Sequence, residues 1–313
     1  MAIILNLLTL SHEQRIAFLR AAPRYEQVFA PNGIMEDGTP VSPELYRQAF
    51  VILGNPPVKE LAVCKKLKLL QTRSAGVDQY EKPGVLPEGT ILRSASGAYG
   101  HSVSEHMFAM LLSMMKRLPA YRDQQRRRIW NDLGPVKTLA GATVLCVGTG
   151  DLGSSFARLC KAMGAWTVGV RRDTLKPATG IDNMYGMDQL DELLFQADVV
   201  ALMLPQSPDT VHIMDERRLA LMNHNAILLN GGRGSAVDSM ALAKALKENR
   251  LWGACLDVTD PEPLPADHPL WRQKRAVITP HVAGGDHLAD TADRIATIAR
   301  SNLYRFLEKE QMK

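Results

Sequence analysis

The stretch that decides the fold is "VLCVGTGDLGSSFARLC", Val144 to Cys160. An apolar run of strand length ends in Gly148, Gly150 and Gly153, spaced G-x-G-x-x-G, and a helical pattern follows at once. Glycines at that spacing allow a tight turn and the close approach of a pyrophosphate, whose charge then meets free amide N–H groups and the positive end of a helix. The spacing alone is a weak signal, but between a strand and a helix it is a strong one. The stretch predicts a dinucleotide-binding turn, with Asp151 and Leu152 inside it.

Working outward, the next strand candidate ends in "VGVRRD". In NAD-binding versions of this unit an acidic residue here accepts hydrogen bonds from the adenosine ribose. This chain has Arg171 and Arg172 instead. A carboxylate would repel a 2′-phosphate, whereas a guanidinium binds it through paired, charge-assisted hydrogen bonds. NADP(H) is therefore favoured as cofactor. NAD(H) stays open, because an arginine can also stack on adenine and Asp173 is adjacent.

Six strand candidates run through this half of the chain: "TVLCVG", "WTVGVR", "DVVALML", "AILLN", "GACLDV" and "AVIT". Helical patterns separate most of them, which predicts a doubly wound dinucleotide fold. The first hundred residues repeat the theme on a smaller scale, with "AIILNLL", "AFVILG", "LKLLQTRSAG" and "TILRSAS" as apolar runs of a parallel sheet covered on both faces. Between the two series a helix is expected from about Ser102 to Leu118, opened by a capping box of Ser102 and Glu105. After Gly285, Ile295, Ile298, Leu303 and Phe306 recur at helical spacing, and with no strand to follow, this helix is expected to return to the first series. The expected architecture is α/β with two Rossmann-like doubly wound domains. A dinucleotide-binding domain, residues 99–285, is inserted in a discontinuous flavodoxin-like substrate domain, residues 1–98 plus 286–313.

Composition sets limits on partners and compartment. The chain has 313 residues, 46 % hydrophobic and 22 % charged, with a formal charge of +4. It lacks the long uninterrupted apolar run of a membrane span. The opening "MAIILNLLTL" has no basic residue before it and no small-x-small site soon after, so it reads as a buried strand rather than a signal peptide. Cys64, Cys146, Cys160 and Cys255 lie far apart, with neither zinc-ligand nor disulfide-framework spacing, which suits a reducing cytoplasm. Basic density concentrates in "YRDQQRRRIW", Tyr121 to Trp130, without interleaved base-stacking aromatics. A solvated helix or interface arm explains it better than nucleic acid. His101, Glu105 and His106 miss the spacing of a zinc-protease signature, and no metal site is expected.

Three chemically capable residues follow successive late strands: Arg233 in "LLNGGRGSAVD", Glu262 in "LDVTDPEPLPADHPLW" and His281 in "ITPHVAGG". Strand ends of an open α/β sheet form the crevice where ligands bind. Hydride transfer to a carbonyl needs a proton donor at the oxygen and a positive group to orient it. His281 can supply the proton, Glu262 beside it would stabilise the imidazolium, and Arg233 can hold a carbonyl oxygen and a neighbouring carboxylate in its planar fork. A 2-oxo acid carries those two groups on adjacent carbons.

With these motifs in place, the chain resembles the D-isomer-specific 2-hydroxyacid dehydrogenase family. "SAGVD" (Ser74 to Asp78), "SGAYGHSVSEH" (Ser96 to His106), the glycine loop, "LPQSPDT" (Leu204 to Thr210), "NGGRGSAVD" (Asn230 to Asp238), "LDVTDPEPLP" (Leu256 to Pro265) and "TPH" carry the resemblance. It implies that Arg233 anchors substrate and that Glu262 pairs with His281, the acid in reduction and the base in oxidation. It further implies that the substrate carboxylate meets backbone amides of Ser74, Ala75, Gly76 and Val77. Asp257 would face the nicotinamide amide, with Pro205, Thr210, Gly231 and Gly284 along the cofactor. Members are usually dimers joined by an arm, here containing Tyr121 to Trp130, and Trp130 is a candidate to reach a neighbour's site.

The departures are informative. Thr259 stands where the family often has an aromatic, and local packing is expected to change. Glu262 disfavours the formate dehydrogenase branch, which pairs its histidine with glutamine. Little chain follows Phe306, so glyoxylate and hydroxypyruvate reductases are better guides than phosphoglycerate enzymes with extensions. The resulting expectation is a reductase of a small 2-oxo acid, its pocket lined by loops near Gly54 to Pro57, Ser74 to Val77 and Tyr99, with Trp271 a candidate. The alternatives are an NAD(H)-sensing corepressor-like binding protein and a phosphite- or formate-type dehydrogenase.

Overall fold

The computed structural model describes residues 2–285 and 288–311. The chain divides into two compact units, Met1–Ala98 with Asp286–Lys313, and Tyr99–Gly285. The junction at Asp286 and the extreme chain ends lie outside the described residues.

The first unit is built on a five-stranded parallel sheet of β1 (Ile3–Asn6), β2 (Glu26–Phe29), β3 (Ala49–Leu53), β4 (Leu69–Gln71) and β5 (Ile91–Arg93), in the order β2-β1-β3-β4-β5. That order is the flavodoxin-like one. Every residue of β1 is buried, as befits an inner strand covered on both faces. The helix His12–Ala21 opens with a capping box in which the Ser11 hydroxyl accepts from the Gln14 N–H and the Gln14 side chain accepts from the Ser11 N–H. The helix Ala289–Gln311 lies on this sheet: Phe306 packs on Phe50 with ring centroids 5.8 Å apart, and the Asn302 amide donates to Gln71 Oε1 at 2.7 Å. β2 was not among the sequence candidates, because Glu26 is exposed, the other three residues are only partly buried, and it forms an edge.

The second unit carries a seven-stranded parallel sheet: β6 (Thr143–Val147), β7 (Trp166–Val170), β8 (Asn183–Tyr185), β9 (Val199–Leu202), β10 (Ile227–Asn230), β11 (Gly253–Leu256) and β12 (Ala276–Ile278). Its order is β12-β11-β10-β9-β6-β7-β8, so the winding direction reverses between β6 and β9, beside the glycine loop. In such sheets the crevice at the reversal is where ligands bind. Alternate β6 residues feed two cores. Leu145 and Val147 join Leu202 and Leu228 on one side, while Val144 and Cys146 join Met107 and Phe156 on the other. Six strands were expected and seven form; the extra one, β8, is a three-residue edge strand without an apolar run.

The connecting helix differs from its expected form. It spans Gly100–Met115, with Tyr99 at its N-cap and no side-chain cap. Ser102 is already inside the first turn and donates to the Tyr99 carbonyl at 3.3 Å, so the capping box of Ser102 and Glu105 does not form. The helix opens at Gly100, where the Asp151 carboxylate and Ser155 hydroxyl leave no room for a Cβ. The helix stops at Lys116, Arg117 adopts a left-handed conformation (φ 56°), and a second helix, Leu118–Arg126, carries the basic segment. Buried Met107, Met110, Met114 and Met115 fill the core side of the first of these helices.

All four cysteines are buried free thiols. Burial pushes Cys64 up to about 11 and Cys146 up to about 12, and it raises Cys160 and Cys255 as well. Among the described residues, no helix is long and apolar enough to cross a membrane.

Candidate active site

The cofactor side of the site begins where β6 ends. Gly148 has φ 92°, and a Cβ there would lie 2.6 Å from the Met203 carbonyl oxygen. A Cβ on Gly153 would run into the Gly148 carbonyl oxygen, so these two glycines let the turn close on itself. Gly150 is different: a Cβ there meets nothing within 4 Å. It is also the N-cap of the helix Asp151–Ala162, which receives no side-chain cap. Uncapped N–H groups at a helix start need an acceptor, and a phosphate is a suitable one. The loop therefore fits the pyrophosphate of a dinucleotide. Asp151 begins the helix with its carboxylate against Gly100, and Leu152 is partly buried.

At the end of β7, Arg171 donates from Nη1 to the Lys176 carbonyl at 3.0 Å, which shapes the loop that follows. Arg172 is exposed. The segment after β9 is tied by Thr210, whose hydroxyl accepts from the Ser207 N–H at 2.8 Å and donates to the Pro205 carbonyl at 2.9 Å. Gly231 packs beside Met107, and Gly284 beside Tyr99 and Val103.

The residues capable of proton transfer follow β11 and β12. His281 Nδ1 lies 3.0 Å from Glu262 Oε2, with the side chains 51 % and 40 % exposed. The other glutamate oxygen, Oε1, accepts from the Thr259 N–H at 3.0 Å, so the carboxylate is held on its far side. Thr259 also donates its hydroxyl to the Pro261 carbonyl at 3.1 Å, giving this position a turn-forming role where an aromatic was the family norm. His281 has φ 53°, a left-handed conformation that a residue with a side chain adopts at a cost of about 1–2 kcal/mol. Its N–H reaches the carbonyls of Asp257 at 2.7 Å and Thr279 at 3.0 Å.

Asp257 is the buried anchor of that turn. Oδ1 accepts from the Thr279 hydroxyl at 2.6 Å and the Val282 N–H at 3.0 Å, and Oδ2 accepts from the Ala283 N–H at 3.0 Å. A carboxylate has about four lone-pair sites. The chain itself fills three of them, two on Oδ1 and one on Oδ2.

Arg233 follows β10 and is partly buried, with Nη1 donating to the Gly232 carbonyl at 2.9 Å. Its loop is shaped by Asn230, a residue to which the sequence reading gave no role. The buried Asn230 amide donates to the Arg233 carbonyl at 2.9 Å and accepts from the Gly232 N–H at 3.2 Å. A Cβ on Gly234 would strike the Thr259 carbonyl, so the arginine loop backs directly onto the loop carrying Glu262. Trp271, a pocket candidate, is half exposed and donates its indole N–H to the Pro265 carbonyl at 2.9 Å.

In the first unit, the loop from Ser74 to Val77 is pinned by Asn55, which lies in the Gly54 to Pro57 loop expected to line the pocket but was not singled out there. Asn55 accepts from the Arg73 N–H at 2.8 Å and donates to Ser74 Oγ at 3.1 Å. The Ser74 hydroxyl in turn donates to the Gly76 carbonyl at 2.7 Å. Ala75 is exposed, and Gly76 and Val77 are partly so. Small polar side chains thus hold this loop.

Comparison with known proteins places the chain in a family. Residues 108–283 match the family described as D-isomer specific 2-hydroxyacid dehydrogenase, NAD binding domain. A glyoxylate reductase of Korarchaeum cryptofilum is 30% identical over 272 residues, 84% of this chain and 80% of that protein. One of Thermofilum pendens is 33% identical over 255 residues, covering 78% and 73%. A crystal structure of a D-isomer specific 2-hydroxyacid dehydrogenase family protein from Aeromonas salmonicida superposes with a TM-score of 0.84 at 33% identity, over 99% of this chain and 97% of that one. The enzyme of Xanthobacter autotrophicus, crystallised with NADPH and MES, gives 0.80 at 27% identity over 98% and 95%.

Proposed function

This chain belongs to the D-isomer-specific 2-hydroxyacid dehydrogenase family and is an NAD(P)-dependent oxidoreductase; from that premise we propose that it reduces a small 2-oxo acid, such as glyoxylate or hydroxypyruvate, to the D-2-hydroxy acid with NADPH. The observation that carries the reading is the 3.0 Å contact of His281 Nδ1 with Glu262 Oε2 on loops that follow adjacent strands.

The bound nicotinamide supplies the hydride to C2. His281, with Nδ1 committed to Glu262, presents Nε2 as the proton donor to the carbonyl oxygen. The carboxylate stabilises the imidazolium before transfer and holds the ring afterwards. Arg233 offers its fork to the carbonyl oxygen and the substrate carboxylate, and the backbone amides of Ser74, Ala75, Gly76 and Val77 offer the carboxylate further donors. In oxidation His281 begins neutral and takes the proton back.

NADPH is favoured by Arg171 and Arg172 at the end of β7, where an NAD site would carry a carboxylate. The NADPH bound to the Xanthobacter relative lends support. A homodimer is supported by the apolar exposure of the arm, where Trp130 is fully exposed and Leu118 and Ile129 are close to half exposed. A second copy of this chain is the partner that would cover them.

The test is parallel consumption of NADPH and NADH with glyoxylate, hydroxypyruvate, pyruvate and bulkier 2-oxo acids, with His281→Asn as control. Turnover with small 2-oxo acids, faster with NADPH and lost in the variant, is the expected outcome. Turnover efficiency should fall with rising pH in reduction and rise with it in oxidation. Equal activity of wild type and variant would overturn the assignment of His281.

A further inference from the structure

We propose that His106 is a positioning residue for the proposed acid–base histidine: through Thr279 and Asp257 it holds the left-handed turn that presents His281 to Glu262. The inference rests on the reading of His281 as the proton carrier. His106 comes from the connecting helix, 175 positions before His281 in the chain. Its Nε2 lies 3.0 Å from Thr279 Oγ1 and 3.6 Å from Asp257 Oδ1.

The direction of each hydrogen bond follows from counting protons. An ionised carboxylate only accepts, so the Thr279 hydroxyl must donate its single proton across the 2.6 Å to Asp257. The Met110 thioether, 3.7 Å from the same oxygen, is a weak acceptor and does not compete. Thr279 then has only lone pairs to offer His106, and the histidine must be protonated at Nε2. One chain of donors results: His106 to Thr279, Thr279 to Asp257, with the Val282 and Ala283 N–H groups closing on the same carboxylate from the other side.

This chain has a mechanical use. His281 sits in a backbone conformation that is unfavourable for it and is held there by neighbours in the same short turn. Asp257 is 3 % exposed and ties that turn to β11 through the Val282 and Ala283 N–H groups, with the Thr279 hydroxyl as its third donor. His106 and Thr279 fix its orientation from the helix Gly100–Met115, which is embedded in the core through Met107, Met110 and Leu111. Loss of the His106 donor leaves the Thr279 hydroxyl without its partner on the helix, so the Thr279–Asp257 bond is no longer fixed from that side and the turn that aims His281 is held less tightly.

The experiment uses His106→Leu, which removes the donor, and His106→Gln, whose amide nitrogen reproduces Nε2–H, with Thr279→Val and the double variant. We expect kcat to fall about 10- to 100-fold in His106→Leu while KM and the NADPH dissociation constant change less than threefold, since small misplacements of a reacting group have effects of that size. His106→Gln should restore kcat to within about threefold of wild type, and the double variant should be no worse than Thr279→Val alone. Long-range 15N NMR of the free protein, which has eight histidines, should show His106 protonated at Nε2. Wild-type kcat in His106→Leu, or a His106 protonated only at Nδ1, would overturn the proposal. Should His281→Asn retain full turnover, the acid–base reading fails by itself, and the NMR result still decides the state of His106.

Discussion

The two halves of the nucleotide-binding unit's site are built by opposite means. Around Gly148 to Gly153 the geometry depends on side chains that are missing: Gly148 and Gly153 leave room for backbone, and Gly150 leaves room for a ligand. Around Glu262 and His281 it depends on side chains that grip backbone, with Asp257, Asn230 and the carboxylate of Glu262 itself each holding amides of a loop. The difference suits the proposed task. A pyrophosphate is recognised by bare N–H groups and needs clearance, whereas a proton must be delivered from one atom at a fixed place and needs support.

Removing the working group on the gripped side should have the largest effect. His281→Asn is expected to lower kcat by about 10²- to 10⁴-fold, the range of general acid–base contributions, with cofactor affinity unchanged by titration calorimetry. Next comes a methyl group added on the cleared side. Gly153→Ala drives a Cβ into the Gly148 carbonyl, and a loss of about 3 kcal/mol in urea unfolding is expected, together with cofactor binding. Gly150→Ala separates the two uses of glycine in this loop. With nothing within 4 Å to clash, stability should hold within about 0.5 kcal/mol while the NADPH dissociation constant rises about tenfold. If Gly150→Ala instead destabilised the protein as much as Gly153→Ala, the division between clearance for chain and clearance for ligand would be wrong.

The smallest effect probes a grip on the cleared side. Asp182 holds β7 through Thr167, bonded to Lys161 and to the Thr167 N–H and hydroxyl. The Lys161 bond, followed by the Thr167 N–H, keeps its carboxyl below the usual range. Its folded-state value is depressed, so the stabilisation is complete above the unfolded value, near pH 4, and vanishes as pH falls through the folded one. Asp182→Asn should lower stability by about 1 kcal/mol at pH 7, a difference that shrinks in thermal melts as the pH is taken progressively below about 4.

These two modes of construction also explain what could be read in advance. Clearance is local: three glycines within six positions declare a phosphate loop, and the strand before and helix after them fix its context. The fold class followed from the same alternation of apolar runs and helices. Grip is not local. His106 meets Thr279 across 173 positions, and inspection of the sequence around His106 suggested only a metal signature of the wrong spacing. Asn230 and Asn55 stood inside or beside quoted motifs, yet an asparagine's partners are set by loop geometry that residue type does not encode. The edge strands β2 and β8 escaped notice for a related reason, since a strand with one neighbour need not be apolar. The start of the connecting helix was misjudged because Ser102 and Glu105 have a capping spacing, while Gly100, yielding space to Asp151, begins the helix sooner.

The four buried thiols lead in a practical direction. With every cysteine shielded and none disposed to ionise near neutral pH, the native chain offers maleimide reagents no ready target. One new cysteine on the surface of each unit would therefore take up a dye pair cleanly, without first stripping out the natural ones. Energy transfer between the dyes could then follow, molecule by molecule, whether adding NADPH alters the spacing of the two units.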